Sequence, residues 1–208
     1  MKKSEGLSIM IVGVGGQGTL LASRILGNML MSEGYDVKVS EVHGMSQRGG
    51  SVVTYVKFGE KVQSPIIDKG GADIILAFEE LEAYRYLPYL KKGGKIICNS
   101  QNIDPMPVII GAKEYPNDIV EKIKSKEVNI ISVDADKLAF EAGNIKTVNV
   151  VLIGVLSKQT DIPEDVWKSA LENTVPAKVI DVNLKAFDLG RNISVSYTHL
   201  RAHETLMN

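Results

Sequence analysis

Short apolar runs alternate with longer segments of helical periodicity along the first two thirds of the chain. Residues 7–14 are apolar at most positions, as expected of a strand that is buried on both faces. Residues 18–34 repeat apolar side chains every three or four positions and end at Gly34, which predicts a helix. Further short β-rich segments are predicted to be strands, namely 36–42, 51–59, 72–78, 93–100 and 128–135. The alternation predicts an α/β fold with a Rossmann-like, mostly parallel sheet flanked by helices.

The last third of the chain has helical rather than strand-like patterning. Segments 136–143, 147–160 and 162–175 predict additional C-terminal helices that pack on the sheet, and 117–126 predicts a short amphipathic helix. Prolines interrupt the chain around residues 108–112, so we expect at most a short edge strand there.

Residues 1–192 are interpreted as a single domain, and residues 193–208 as a non-native tail. The stretch SYTHLRAHET in this tail resembles peptides that arise when sequencing-adaptor DNA is translated. His199 and His203 lie there at a spacing that could hold a metal on a helix, but a pair alone is a weak signal. We therefore predict no metal site.

Composition narrows the class of protein further. The 208 residues are 44% hydrophobic and 24% charged with a formal net charge of −1, which fits one globular domain. The basic residues form no long run and no apolar run reaches the roughly 20 residues of a membrane span, so we expect neither a nucleic-acid nor a membrane partner. Cys98 is the single cysteine, so an internal disulfide is excluded and a cytoplasmic location is expected.

A glycine-rich loop follows the first predicted strand. The sequence GVGGQG, residues 13–18, has the spacing by which a strand–turn–helix unit brings backbone amides close to a phosphate. Glu41, near the end of the second predicted strand, could hold ribose hydroxyls, so an NAD or FAD site is one interpretation. The alternative is that the glycines only let the helix pack closely on the sheet. Gln17 has no evident role in a nucleotide loop.

A second motif follows about thirty residues later in the sequence SEVHGMSQRGGSVVTYVKFG, residues 40–59. Together with GVGGQG it resembles the indolepyruvate ferredoxin oxidoreductase β-subunit family, within the γ-domain superfamily of 2-oxoacid ferredoxin oxidoreductases. The resemblance runs from about residue 8 to residue 191. Arg48, Gly49 and Gly50 match the wider superfamily, while EVHGMSQRGG with its His43 is similar to the indolepyruvate type.

This resemblance implies a small, non-redox subunit that is not active alone. Enzymes of this type oxidatively decarboxylate a 2-oxoacid to an acyl-coenzyme A and reduce ferredoxin. The thiamine diphosphate, Mg and iron–sulfur clusters are expected in a larger α subunit, and coenzyme A is the co-substrate. A single cysteine agrees with that division, because a cluster needs about four thiolates. No catalytic residue is assigned in this chain.

The two motifs are predicted to meet at the rim where parallel strands end. The glycine loop could contact a phosphate of coenzyme A through Gly13, Gly15, Gly16, Gln17 and Gly18. The second motif is expected to face the large subunit or coenzyme A with His43, Ser46, Gln47, Arg48, Gly49 and Gly50. Against this, the glycines could serve turns and Arg48 could form an ordinary surface ion pair.

Two further expectations concern the acids and the thiol. The acidic residues within FEELEAYRYL, residues 78–87, are predicted to form a solvated helix face. Cys98 is predicted to be an inert core residue. Besides the oxidoreductase subunit, two other functions stay open: a self-sufficient NAD- or FAD-dependent enzyme, and a small-ligand binding module.

Overall fold

A six-stranded sheet lies at the centre of the computed structural model, which describes residues 6–43 and 49–193. The strands, in chain order, are β1 (Ser8–Val14), β2 (Asp36–His43), β3 (Ser51–Gly59), β4 (Ala72–Ala77), β5 (Leu90–Asn99) and β6 (Asn129–Val133). In space their order is β2-β3-β1-β4-β5-β6. The predicted α/β fold is confirmed.

The sheet is mixed because β3 runs against its neighbours. It pairs antiparallel with both β1 and β2, whereas β1, β4, β5 and β6 pair parallel with one another. Residues 44–50 join β2 to β3, and so short a connection allows a hairpin but not a parallel crossover. Five strands therefore share one direction, and β3 separates β2 from β1.

Eight helices surround the described part of this sheet. They are α1 (Thr19–Ser32), α2 (Glu80–Tyr86), α3 (Met106–Ile109), α4 (Ile119–Lys124), α5 (Ala135–Ala142), α6 (Val148–Ser157), α7 (Glu164–Thr174) and α8 (Ile180–Arg191). Single 3-10 turns occur at Leu87–Tyr89, Ile145–Thr147 and Ala177–Val179. The additional C-terminal helices are thus present.

The segment around residues 108–112, for which at most a short edge strand was expected, contains no strand. The segment forms α3 and its C-terminal turn, in which the Ile109 N–H donates to Pro105 O at 3.1 Å and the Ile110 N–H to Met106 O at 3.0 Å. Proline is tolerated in the first turn of a helix, where its missing N–H has no partner to lose. Pro107 therefore starts this turn instead of interrupting a strand.

Alternate residues of β1 belong to two separate apolar cores. Ile9 and Ile11 join the larger core, which lies against α1 and α5–α8, while Met10 and Val12 join the smaller core, which includes residues of α2 and α4. Helix α6 is buried nearly all round, as its continuous apolar sequence requires. Ile193 also packs against the larger core, whereas the rest of the predicted tail, residues 194–208, lies outside the described residues.

Candidate functional site

The glycine loop and the β2–β3 connection meet at one edge of the sheet. The Gly15 N–H donates to Gly50 O at 2.9 Å, which ties the turn after β1 to the residue before β3. Strand β4 ends at the same place, where the Phe78 N–H donates to Val12 O at 2.9 Å. The carboxyl ends of parallel strands are where α/β sheets bind ligands and partners, so this rim is the candidate site.

Three positions of the glycine loop require the absence of a side chain. Gly16 and Gly18 have φ values of 105° and 82°, a region that other residues adopt only with strain. A Cβ at Gly18 would lie 2.9 Å from Asn149 Nδ2, and a Cβ at Gly13 would lie 2.8 Å from Gln17 Oε1. The glycines therefore allow close packing of the loop against α6 and against its own glutamine. At Gly16 no atom lies within 4 Å of a built Cβ, so this residue faces open space.

Gln17 connects the glycine loop to two neighbouring strands. Its Oε1 accepts from the Val14 N–H at 2.7 Å, and its Nε2 donates to Phe78 O at 2.9 Å and to Gln101 Oε1 at 2.8 Å. Phe78 follows β4 and Gln101 follows β5, so one amide joins the ends of three adjacent strands. Sequence reasoning found the residue but missed this role, because its partners are 61 and 84 positions away.

This arrangement weakens the support for a dinucleotide site. The N–H groups of Val14 and Gly15 donate to Gln17 Oε1 and Gly50 O, so these two donors are already used within the chain. Glu41 lies on β2, which β3 separates from β1, and its Oε1 accepts from Ser23 Oγ at 3.1 Å. The dinucleotide interpretation requires an acidic residue on the strand adjacent to β1, and Glu41 is not on that strand.

The structure describes only part of the second motif. The backbone of His43 pairs with Val52 at the end of β2, but its side chain lies outside the described residues, as do Ser46, Gln47 and Arg48. Gly49 has a φ of 75°, and no atom of the described residues lies within 4 Å of a built Cβ there. The predicted contacts of these six residues with a partner or with coenzyme A stay predictions.

The prediction of a solvated acidic face for residues 78–87 is wrong for two of its glutamates. Glu79 and Glu82 are only 1% and 2% exposed. Glu79 accepts from the N–H groups of Glu82 at 2.8 Å and Ile103 at 3.2 Å, and also from the Tyr115 hydroxyl. These partners compensate the cost of burying the carboxylate, and Glu79 in turn anchors the segment that leaves β5.

Glu82 holds the start of β3. The Ser51 hydroxyl donates to its Oε2 at 2.5 Å, and Arg85 pairs with its other oxygen. Burial raises the pKa of the Glu82 carboxyl, although the Ser51 hydrogen bond and the charge of Arg85 oppose that shift. Because Ser51 directly follows Gly50, this carboxylate stabilises the strand into which the second motif leads.

Other titratable groups near the rim are also shielded from water. Burial and the hydrogen bond to Glu79 raise the pKa of Tyr115, so its hydroxyl is a donor at neutral pH. Cys98 is fully buried, as predicted, and that burial raises the pKa of its thiol. Such a thiol is neither nucleophile nor ligand. The described residues of the rim position backbone and loops, and among them there is no activated nucleophile.

The described residues contain neither a candidate metal cluster nor a candidate membrane span. Among residues 6–43 and 49–193, no group of three or more His, Cys, Asp or Glu side chains could hold a metal ion, and His199 and His203 lie outside this range. Over the same residues, no helix is both long and apolar enough to cross a membrane.

Sequence comparison identifies relatives over nearly the whole described chain. Residues 8–193 match the family model for pyruvate ferredoxin/flavodoxin oxidoreductase. Indolepyruvate oxidoreductase subunit IorB from Thermococcus kodakarensis is 50% identical over 188 residues, which cover 88% of this chain and 93% of the relative. The protein of the same name from Archaeoglobus fulgidus is 38% identical, with 91% and 96% covered. The predicted resemblance to the indolepyruvate type is confirmed.

Solved structures share the fold at lower identity. The γ subunit of a keto/oxoacid ferredoxin oxidoreductase from Geobacter sulfurreducens is 22% identical with a TM-score of 0.66, and covers 88% of this chain and 95% of its own. Pyruvate oxidoreductase subunit PORC from Thermotoga maritima is 20% identical with a TM-score of 0.68, covering 90% and 96%. The family model and the sequence relatives show that the chain belongs to the pyruvate ferredoxin/flavodoxin oxidoreductase family.

Proposed function

We propose that the chain is the small subunit of a 2-oxoacid:ferredoxin oxidoreductase of the indolepyruvate type, acting in the cytoplasm. The observation that carries this proposal is the 50% identity to an indolepyruvate oxidoreductase subunit, across 93% of that relative. The proposed enzyme oxidises an aryl-pyruvate to an acyl-coenzyme A, releases carbon dioxide and transfers two electrons to ferredoxin.

The redox cofactors belong to the partner in this proposal. Thiamine diphosphate, Mg and the iron–sulfur clusters reside in the larger α subunit, which also transfers electrons to ferredoxin. Two observations support the division. The chain has one cysteine, Cys98, and that thiol is fully buried with its pKa raised, so it cannot ligate a cluster. The described rim is built from amides, glycines and hydrogen-bonded carboxylates rather than from a reactive pair of side chains.

The small subunit contributes a binding surface to the assembly. No atom of the described residues lies within 4 Å of a Cβ built at Gly16 or at Gly49, and both glycines lie beside the Gly15–Gly50 hydrogen bond that joins the two motifs. A backbone without side chains at these points lets another surface approach closely. We place the large subunit or coenzyme A against this part of the rim, with His43, Ser46, Gln47 and Arg48 adding side-chain contacts.

Reconstitution tests the proposed function directly. The isolated chain should not reduce a viologen dye when supplied with indolepyruvate and coenzyme A, because it lacks ligands for the redox cofactors. Adding the purified large subunit should restore dye reduction. Activity from this chain alone, or micromolar binding of NAD or FAD by it, would contradict the proposal.

Arg48 provides a test of the second motif. If its guanidinium binds a carboxylate of the large subunit or a phosphate of coenzyme A, Arg48→Ala should weaken assembly or raise the apparent coenzyme A requirement by about tenfold or more. Arg48→Lys should recover only part of the loss, because an ammonium lacks the planar pair of donors. Titration of the large subunit and of coenzyme A measures both effects.

The matched control is Arg24→Ala on the exposed face of α1, which should leave both titrations unchanged. A melting temperature that falls in Arg48→Ala while assembly and kinetics stay at wild-type values would assign Arg48 a structural role instead.

A further inference from the structure

The segment between β5 and α4 is a loop whose two ends are held by one buried carboxylate. Glu79 accepts from the Ile103 N–H at 3.2 Å and from the Tyr115 hydroxyl, and only 1% of this residue is exposed. Residues 103–115 therefore leave the rim and return to the same point. Compact surface loops with adjacent ends of this kind are ordered structures and often functional.

The tip of this loop carries apolar side chains into water. Met106, Ile109 and Ile110 are 65%, 65% and 69% exposed, and they lie on α3 and its last turn. Backbone hydrogen bonds hold the turn, since the N–H groups of Ala112 and Lys113 both donate to Pro107 O. Single exposed apolar residues are ordinary, but three on one short ordered turn form an apolar patch of the kind that serves as an interaction site.

An acidic group lies at the base of the same loop. The Glu80 N–H donates to Gln101 O at 3.1 Å, two residues before Ile103. Burial raises the pKa of the Glu80 carboxyl, and the charges of Glu79 and Glu121 raise it further. Among the described residues no Lys or Arg forms an ion pair with Glu80. A cation from another molecule would relieve this accumulation of negative charge.

We propose that the tip of loop 103–115 is a docking surface for the larger subunit, which covers Met106, Ile109 and Ile110 and pairs a basic side chain with Glu80. The inference rests on the proposed function, because it presumes that a larger subunit exists. Continuity with the rim supports that occupant, because Gln101 Oε1 accepts from Gln17 at 2.8 Å and Gln101 O accepts from the Glu80 N–H at 3.1 Å, two residues before the loop begins. Glu79 holds both ends of the loop, so the surface exists before the partner arrives and less entropy is lost on binding.

Equilibrium binding of the purified large subunit to full-length variants tests this surface. The double variant Ile109→Ser, Ile110→Ser should bind about tenfold more weakly or worse, because apolar residues at the centre of an interface dominate its affinity. Glu80→Lys should weaken binding further than Glu80→Gln, because it places like charges together. Hydrogen exchange of the loop should slow in the wild-type complex.

Phe140→Ser on α5 is the matched control, because Phe140 is an apolar residue that is 79% exposed elsewhere on the molecule. It should bind within about twofold of wild type. If the wild-type chain binds the large subunit and the loop variants bind it equally well, the docking surface is wrong but the proposed function is not contradicted. Absence of any complex with the wild-type chain would instead overturn the proposed function, and with it this inference. A third outcome is that the wild-type chain forms a homodimer, that the double variant does not, and that both bind the large subunit equally well. This outcome would assign the surface to a second copy of the chain and would also overturn the inference.

Discussion

Gly190→Ala should destabilise the protein by about 3 kcal/mol or more, the upper part of the range for overpacked cores. A Cβ at Gly190 would lie 2.0 Å from Val151 O, and a Cβ at Gly154 would lie 2.2 Å from Phe187 O. Helices α6 and α8 thus touch backbone to backbone, and no side-chain rotation can relieve the clash. Thermal unfolding should show a melting temperature lower by about 6 to 12 °C for a chain of this size.

Gly27→Ala is the matched control, because Gly27 is also a buried helical glycine. The atom nearest to a built Cβ there is Val39 Cγ2 at 3.9 Å, which is an ordinary contact. Alanine favours the helix, so this variant should be more stable than wild type by about 0.5 to 1 kcal/mol. Equal stability of Gly190→Ala and wild type would mean that α6 and α8 separate at no cost.

The strands and long helices could be predicted from the sequence because their patterning is local. Strand β3 was predicted at residues 51–59 and is observed at Ser51–Gly59, and the helix predicted at 18–34 is observed at Thr19–Ser32. The mostly parallel sheet was also predicted, since five of its six strands share one direction. The antiparallel strand β3 between β1 and β2 was not predicted, although a connection as short as 44–50 requires it. The Rossmann-like interpretation made Glu41 a candidate ribose ligand.

Partners from distant segments explain what the sequence could not predict. Glutamates are usually solvated, and nothing in FEELEAYRYL indicates that Glu79 will meet Ile103 and Tyr115, or that Glu82 will meet Ser51. Burial of these acids depends on the tertiary fold. The helical turn Met106–Ile109 was missed for a local reason, because prolines that start such a turn were interpreted as breaks in a strand.

The candidate site contains one feature that the sequence could predict and one that it could not. The meeting of the two motifs could be predicted, since turns that follow strands of the same direction share one rim of a sheet, and the Gly15–Gly50 hydrogen bond lies there. The spacing of the glycines alone could not decide between phosphate binding and close packing. Spacing suits a phosphate loop equally well, and only the positions of Gln17 and Asn149 assign Gly13 and Gly18 to close internal packing.

Gln17→Ala should destabilise the chain by about 2 to 4 kcal/mol, because it removes three hydrogen bonds at once and leaves the Val14 N–H and Phe78 O without this partner. Gln17→Glu should also be destabilising. A carboxylate could still accept from Val14, but it would oppose the carbonyl of Phe78. Denaturant unfolding monitored by circular dichroism measures both variants.

Gln101→Ala separates the amide network from a general loss of packing. It removes only the Gln17 Nε2 to Gln101 Oε1 bond of 2.8 Å, so it should cost about 0.5 to 1.5 kcal/mol. In the double variant Gln17→Ala, Gln101→Ala, the second change should cost nothing further, because its partner is already gone. Gln63→Ala, at an exposed glutamine, should stay within about 0.5 kcal/mol of wild type. Strict additivity of the Gln17 and Gln101 changes would show that the two amides do not act together. The bonds of Gln17 to Val14 and Phe78 would then hold the glycine loop without a contribution from Gln101.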